Sequence, residues 1–230
     1  MGFSNDLTSE VTNIFRSQWS ERDGQQVPTP TDIRLANDAV KLNGTVLYAD
    51  IDGSTGMVDT LKAAVAAEIY KTFLLCSARI IRSEGGEITA YDGDRVMAVF
   101  IGDSKNTRAV RCALKINHAV TKIINPAFKK QYADTTFALR HAVGIDTSNM
   151  YVARTGIRGD NDLVWVGRAA NYAAKLSGLS DGPFSTFITE EVFASMNTSV
   201  KQHSGQSMWE QRLWKGMSVY RSSWMWVIEE

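Results

Sequence analysis

The sequence predicts an α+β fold with a ferredoxin-like βαββαβ core and additions at the C-terminal end. Three observations predict it. Short apolar runs and two long stretches of helical periodicity follow one another in the order strand, helix, strand, strand, helix, strand. Glycine or proline marks the changes of character, at Gly53, Gly85-Gly86 and Asn125-Pro126. The 230 residues are 44% hydrophobic and 22% charged, a balance that suits one globular domain of ordinary to large size.

Ser4 to Trp19 reads as an amphipathic helix with Val11, Ile14, Phe15 and Trp19 on one face. Gln25 to Asp32 carries Pro28-Thr29-Pro30 and resists helix. Residues 1–34 are therefore read as a helix and linker, and residues 35–230 as the compact domain. Thr45 to Asp50 is a buried strand. Thr60 to Ser83 is a long helix with Leu61, Val65, Ile69, Phe73, Cys76 and Ile80 along one stripe, ended by Gly85-Gly86. Glu87 to Ala90 and Val96 to Phe100 form a hairpin around a Tyr91–Arg95 turn. Asn106 to Ile124 is a second helix, closed by Asn125-Pro126. Phe137 to Ile145, Met150 to Arg154 and Leu163 to Val166 are strands. Arg168 to Leu176 is a helix, Phe184 to Ile188 a strand and Glu190 to Met196 a short helix. Ser207 to Trp214 and Ser218 to Ile228 form a terminal hairpin turned at Lys215-Gly216. Trp209, Trp214, Trp224 and Trp226 are read as core or dimer-interface packing, the last two sharing a strand face.

Lys and Arg number 25 and so do Asp and Glu, so no excess positive field favours nucleic acid or an anionic membrane surface. No hydrophobic signal core opens the chain, and no apolar run approaches the ~20 residues of a membrane span. Cys76 and Cys112 lie in apolar helical patterns as inert thiols, which fits a reducing cytoplasm. His118, His141 and His203 have no ligand spacing.

Chemistry concentrates in two places. The run Thr45-Val46-Leu47-Tyr48 ends at Asp50 and turns through Gly53 into Ser54-Thr55, and the Tyr91-Asp92-Gly93-Asp94-Arg95 turn presents a second acid. Taken alone, Asp50 is an ordinary helix cap. With Asp94 and a glycine-led helix start it suits holding divalent metal against a polyphosphate. Arg168 could bind phosphate or pair with a carboxylate, and the ion pair is the preferred reading.

Five segments in order, spanning about Gly44 to Tyr220, resemble class III nucleotidyl cyclases. They are Tyr48-Ala49-Asp50-Ile51-Asp52-Gly53, Gly93-Asp94-Arg95-Val96-Met97-Ala98-Val99-Phe100, Leu139-Arg140-His141-Ala142-Val143-Gly144-Ile145 with its pattern shifted, the helix from Val166 to Leu176, and Leu213-Trp214-Lys215-Gly216. The resemblance implies that Asp50, Asp94 and the Ile51 carbonyl hold two divalent cations, Mn²⁺ or Mg²⁺. It implies that the amides of Asp52, Gly53, Ser54 and Thr55 cradle phosphates, and that Asn171 and Lys175 act on the ribose and the phosphates. Lys175 departs from the family's usual Arg, so it offers a point charge without a planar fork. It also implies a head-to-tail homodimer, because the metal half and the Asn/Lys half of each family site come from different chains.

The positions that select a purine in the family hold Ala90 and Val164 here, and neither side chain hydrogen-bonds. Tyr91 and Arg95 instead flank Asp94, a pattern similar to the pyrimidine cyclases of bacterial anti-phage systems. The resemblance thus implies cyclisation of UTP, or of CTP, to the 3′,5′-cyclic nucleotide, with Tyr91 and Arg95 reading the base. UTP is favoured because uracil offers a guanidinium two carbonyl acceptors. An adenylate or guanylate cyclase and a catalytically dead nucleotide-binding module are the alternatives. A diguanylate cyclase lacks support, since Gly85-Gly86-Glu87 continues as Ile88-Thr89.

Overall fold

The computed structural model describes residues 2–229. In chain order it contains α1 (Phe3–Arg16), β1 (Ser20–Asp23), β2 (Asp38–Ile51), α2 (Ser54–Thr60), α3 (Ala63–Ser83), β3 (Glu87–Asp92), β4 (Arg95–Phe100), α4 (Lys105–His118), α5 (Asn125–Gln131), β5 (His141–Ile157), β6 (Asp160–Val166), α6 (Arg168–Ser177), β7 (Thr186–Thr189), α7 (Glu190–Ser195), the two-residue strands β8 (Gln202–His203) and β9 (Gln206–Ser207), β10 (Glu210–Trp214) and β11 (Met217–Ser222). The fold is mixed α+β. Two compact units share it, and β2 and β5 contribute residues to both.

The first unit comprises residues 2–43 and 149–167. β1 pairs in parallel with the start of β2, Ser20 opposite Asp38. That strand is missed in the sequence because Ser-Glu-Arg-Asp is wholly exposed and carries no apolar alternation. The end of β5 pairs antiparallel with β6. α1 forms close to where the periodicity places it but ends at Arg16, which leaves Trp19 outside the helix, and none of its residues is buried.

The second unit, residues 44–148 and 168–229, carries the strand order β10-β11-β7-β5-β2-β4-β3. Its main core lies on one face, where Leu47, Ala49 and Ile51 of β2, Val96, Ala98 and Phe100 of β4, and Val143 and Ile145 of β5 meet the apolar stripes of α3 and α4. In α3, Ile69, Phe73 and Ile80 are buried as the periodicity predicts. Gly85 takes φ +73 just beyond α3 and the Gly86 N–H donates to the Ile81 carbonyl at 2.9 Å, a left-handed helix stop. A smaller cluster on the opposite face unites Ala142, Leu176, Phe187 and Val219.

Several expectations are corrected. The first long helix forms as α3 but starts at Ala63 instead of Thr60, and a separate short helix, α2, precedes it. The second does not stop at Asn125-Pro126: a π-helical stretch, Ala119–Ile124, leads into α5, where Pro126 occupies the first turn and its missing N–H costs no hydrogen bond. Phe137 to Ile145 and Met150 to Arg154 merge into the 17-residue β5, which begins only at His141. Trp224 and Trp226 lie beyond β11, not on a strand. Their segment is pinned to α4 by the Asn117 amide, which donates to the Ser223 and Trp224 carbonyls, and by the Trp226 N–H on the Leu114 carbonyl. Cys112 is buried, which pushes its thiol well up, and Cys76 is half-buried. Among the described residues no helix is long and apolar enough to cross a membrane.

Candidate active site

Alternation along β2 decides what faces the site. Leu47, Ala49 and Ile51 enter the helix-covered core, so Tyr48 and Asp50 point to the other face. β4 runs antiparallel with Tyr48 opposite Met97 and Ala49 opposite Val96, and the next step sets Asp50 against Arg95. β3 sets Asp92 against Arg95 in turn. Asp50, Arg95 and Asp92 therefore form a row across three strands.

Only two residues, Gly93 and Asp94, connect β3 to β4, in place of the five-residue Tyr91–Arg95 turn that the sequence predicts. Gly93 takes φ +60 at the first central position, as a tight type II′ hairpin requires. Asp94 follows at the tip, and its Oδ2 is buried with no hydrogen-bond partner. Burial, and then the charge of Asp94, push the Asp50 carboxyl up to about 6, while Arg95 opposes the rise. The two acids thus meet in space although forty-four positions separate them (94 − 50).

These residues fit divalent cations. Two like charges are held together, and a buried carboxylate oxygen is left without the donor it needs. The donors are all oxygen, as Mg²⁺ and Mn²⁺ prefer. Among the described residues no group of three or more His, Cys, Asp or Glu could hold a metal, so a cation held by the two acids would complete its coordination with carbonyl, water or substrate oxygen. Ile51 ends β2 next to Asp50, which leaves its carbonyl suitably placed in sequence.

The remaining expected residues divide. Arg95 Nη2 donates to Asp92 Oδ2 at 2.6 Å, and the guanidinium lies 5.8 Å from the Tyr48 ring. Tyr91 is opposite Val96, so the pleat directs it to the other face from Arg95. The pair does not form one pincer within the chain. Asp52 is a second correction: its N–H donates to the Arg140 carbonyl at 3.0 Å, and its carboxylate takes Arg140 and Ser180. That amide is withdrawn from any phosphate cradle. Gly53, at φ +78, caps α2, and the first amides of that helix, from Ser54 and Thr55, have no intrahelical acceptor.

Asn171 and Lys175 are exposed four residues apart on α6, hence on one side of it. Gly144 lets α6 sit close on β5: a Cβ there would come within 2.1 Å of the Ala173 carbonyl oxygen. Arg168 is the ion-pair residue expected. Its Nε and Nη2 each lie 3.1 Å from a carboxylate oxygen of the fully buried Asp146, whose Oδ1 also accepts from Thr189 Oγ1 at 2.5 Å. The Tyr172 ring has the Arg168 guanidinium 5.6 Å and the Lys175 ammonium 5.9 Å from its centre. Sequence reasoning missed Tyr48 as a member of the acid face and Arg140 and Ser180 as partners of Asp52. Only the alternation back from Asp50 could have signalled Tyr48; the other two are brought in by tertiary structure alone.

Paired acids on such a sheet, followed by an Asn/Lys helix, belong to class III nucleotidyl cyclase catalytic domains. The solved structure of the guanylyl cyclase Cya2 has this fold, with a TM-score of 0.66 over 80% of this chain and 93% of that one at 18% identity. In sequence the chain belongs to the uridylate cyclases. It is 52% identical to the uridylate cyclase of Xanthomonas perforans over all of both chains. It is 54% identical to that of Burkholderia cepacia over 99% of this chain and 100% of the relative. No family model matches the chain.

Proposed function

We propose that this protein converts UTP to cyclic 3′,5′-UMP and pyrophosphate, as a head-to-tail homodimer with its sites at the subunit interface. The convergence of Asp50 and Asp94 on one buried, partnerless carboxylate oxygen carries the reading, and the two full-length uridylate cyclase relatives favour UTP over CTP. Ala90 and Val164 support it from the other side, since neither can recognise a purine edge.

Asp50, Asp94 and the Ile51 carbonyl hold the cations. Bound there, the cations would lower the pKa of the ribose 3′-hydroxyl and neutralise the charge that develops on the departing pyrophosphate. Gly53, Ser54 and Thr55 present amides to the phosphate oxygens. Asn171 orients the ribose, and Lys175 supplies charge to the phosphates. Arg95 donates to a pyrimidine carbonyl with the nitrogens that Asp92 leaves open. Tyr91 lies on the other face of the hairpin, so Arg95 carries most of the base reading. The product would be a second messenger in anti-phage defence.

The test is incubation of the purified protein with ATP, GTP, CTP and UTP in turn, with Mn²⁺, and identification of any cyclic product. Cyclic UMP is expected. Cyclic CMP alone would correct the base, a purine product would overturn the base reading, and no product from any triphosphate would overturn the enzymatic one.

A further inference from the structure

We infer that Arg140 and Ser180 are positioning residues for the metal-bearing turn and act on it through Asp52. The inference rests on the cation-holding reading of Asp50 and Asp94. Asp52 stands two residues after Asp50 and immediately before the left-handed Gly53. Its Oδ2 receives Arg140 Nη2 at 2.9 Å and Ser180 Oγ at 2.9 Å. Its N–H donates to the Arg140 carbonyl at 3.0 Å, so Arg140 grips Asp52 by backbone and side chain together. The same guanidinium nitrogen lies 3.2 Å from Ser180 Oγ and 3.4 Å from the Gly182 carbonyl. Three separate segments converge on one carboxylate: the end of β2, the residue before β5 and the loop after α6.

Both donors engage Oδ2 of Asp52, and among the described residues Asp50, Asp52 and Asp94 do not form a three-acid metal group. What the cluster offers instead is geometry. The turn must aim the Asp50 carboxylate and the Ile51 carbonyl at one point, and it adjoins a glycine whose backbone is permissive. Arg140 is 56% exposed at its side chain, so the ion pair contributes little to global stability. Its weight falls on local orientation, as with the outer partners of metal ligands elsewhere, whose removal typically costs 10–100-fold in affinity.

The experiment measures Mn²⁺ binding to nucleotide-free protein, by the paramagnetic resonance signal of free Mn²⁺, beside the metal-free melting temperature. Arg140→Ala should weaken Mn²⁺ binding about 10-fold while the metal-free melting temperature holds, and Arg140→Lys should recover part of the loss. Ser180→Ala should weaken it by about 2-fold to 3-fold, as for one shared hydrogen bond, and Asp50→Ala should abolish it. Wild-type affinity in Arg140→Ala, with binding lost in Asp50→Ala, overturns the positioning role and leaves the cation site standing. Wild-type affinity in Asp50→Ala as well overturns both. An affinity loss that tracks a lower melting temperature, and that Arg140→Lys leaves unrecovered, also overturns the positioning role. Should Arg140→Ala fail to fold, Ser180→Ala decides by the same readout, wild-type affinity overturning the inference.

Discussion

Asp50/Asp94 and Asp146 are two treatments of acids withdrawn from water. In both places burial is the largest influence and raises a carboxyl pKa. The neighbours then act with opposite sign. Around Asp146, Thr189, the backbone at Thr147 and Arg168 all favour the charged form, and both oxygens are engaged. Around Asp50 the next influence is another acid, and an oxygen of that acid has no partner. One cluster is completed by the protein; in the other, the acids face each other and one oxygen has no protein partner. On the proposed function, the contrast separates an acid that builds the fold from acids that serve a reaction.

Four experiments press on that contrast. The largest effect is expected from Asp94→Ala, which should cut cyclase turnover by about 10³-fold, since a bound cation is worth several kcal/mol of transition-state charge, with the circular dichroism spectrum unchanged. Turnover near wild type would place Asp94 with the structural acids. Arg168→Ala should do the reverse. Leaving Asp146 buried and half-paired should cost about 3 kcal/mol of folding stability, read by denaturant titration, and an unaltered midpoint would dissolve the distinction. Third, Mn²⁺ affinity should be level above pH 6 and fall by up to about tenfold per unit below it, because the proton that Asp50 takes up there competes with the cation. A flat profile down to pH 5 would show that Asp50 is not a ligand.

The smallest effect concerns stability. The folded pKa of Asp50, about 6, exceeds the ordinary carboxyl value of 3.8, so the folded metal-free state binds more protons between these values and loses stability as pH rises through them. Asp50→Asn should therefore stabilise the metal-free protein at pH 7, by roughly 1–3 kcal/mol from the size of that shift, and not at pH 3. A gain of equal size at both pH values would refute the electrostatic origin.

Local chemistry made part of this legible. The apolar run into Asp50, the glycine stop after α3, the α6 helix and the Lys215-Gly216 turn all announce themselves through periodicity or through residues that tolerate positive φ. What the sequence hid depends on register. Treating Tyr91 to Arg95 as one loop left their directions open. Once β3 extends to Asp92 and β4 begins at Arg95, the pleat assigns Tyr91 and Arg95 to opposite faces. The Asp52 cluster was equally hidden, since its members are 88 (140 − 52) and 128 (180 − 52) positions away. Pro126 misled because its cost depends on which turn of a helix receives it.

The connection at Gly93-Asp94 is the shortest in ordinary use for a hairpin. It works as a gauge with no slack, because the spacing of the oxygens proposed to hold the cations is set by the paired strands on either side and not by an adjustable loop. One residue gained or lost there would invert the parity of everything downstream on that ribbon. Drift in length at this tip is thus forbidden in a way that drift in residue type is not.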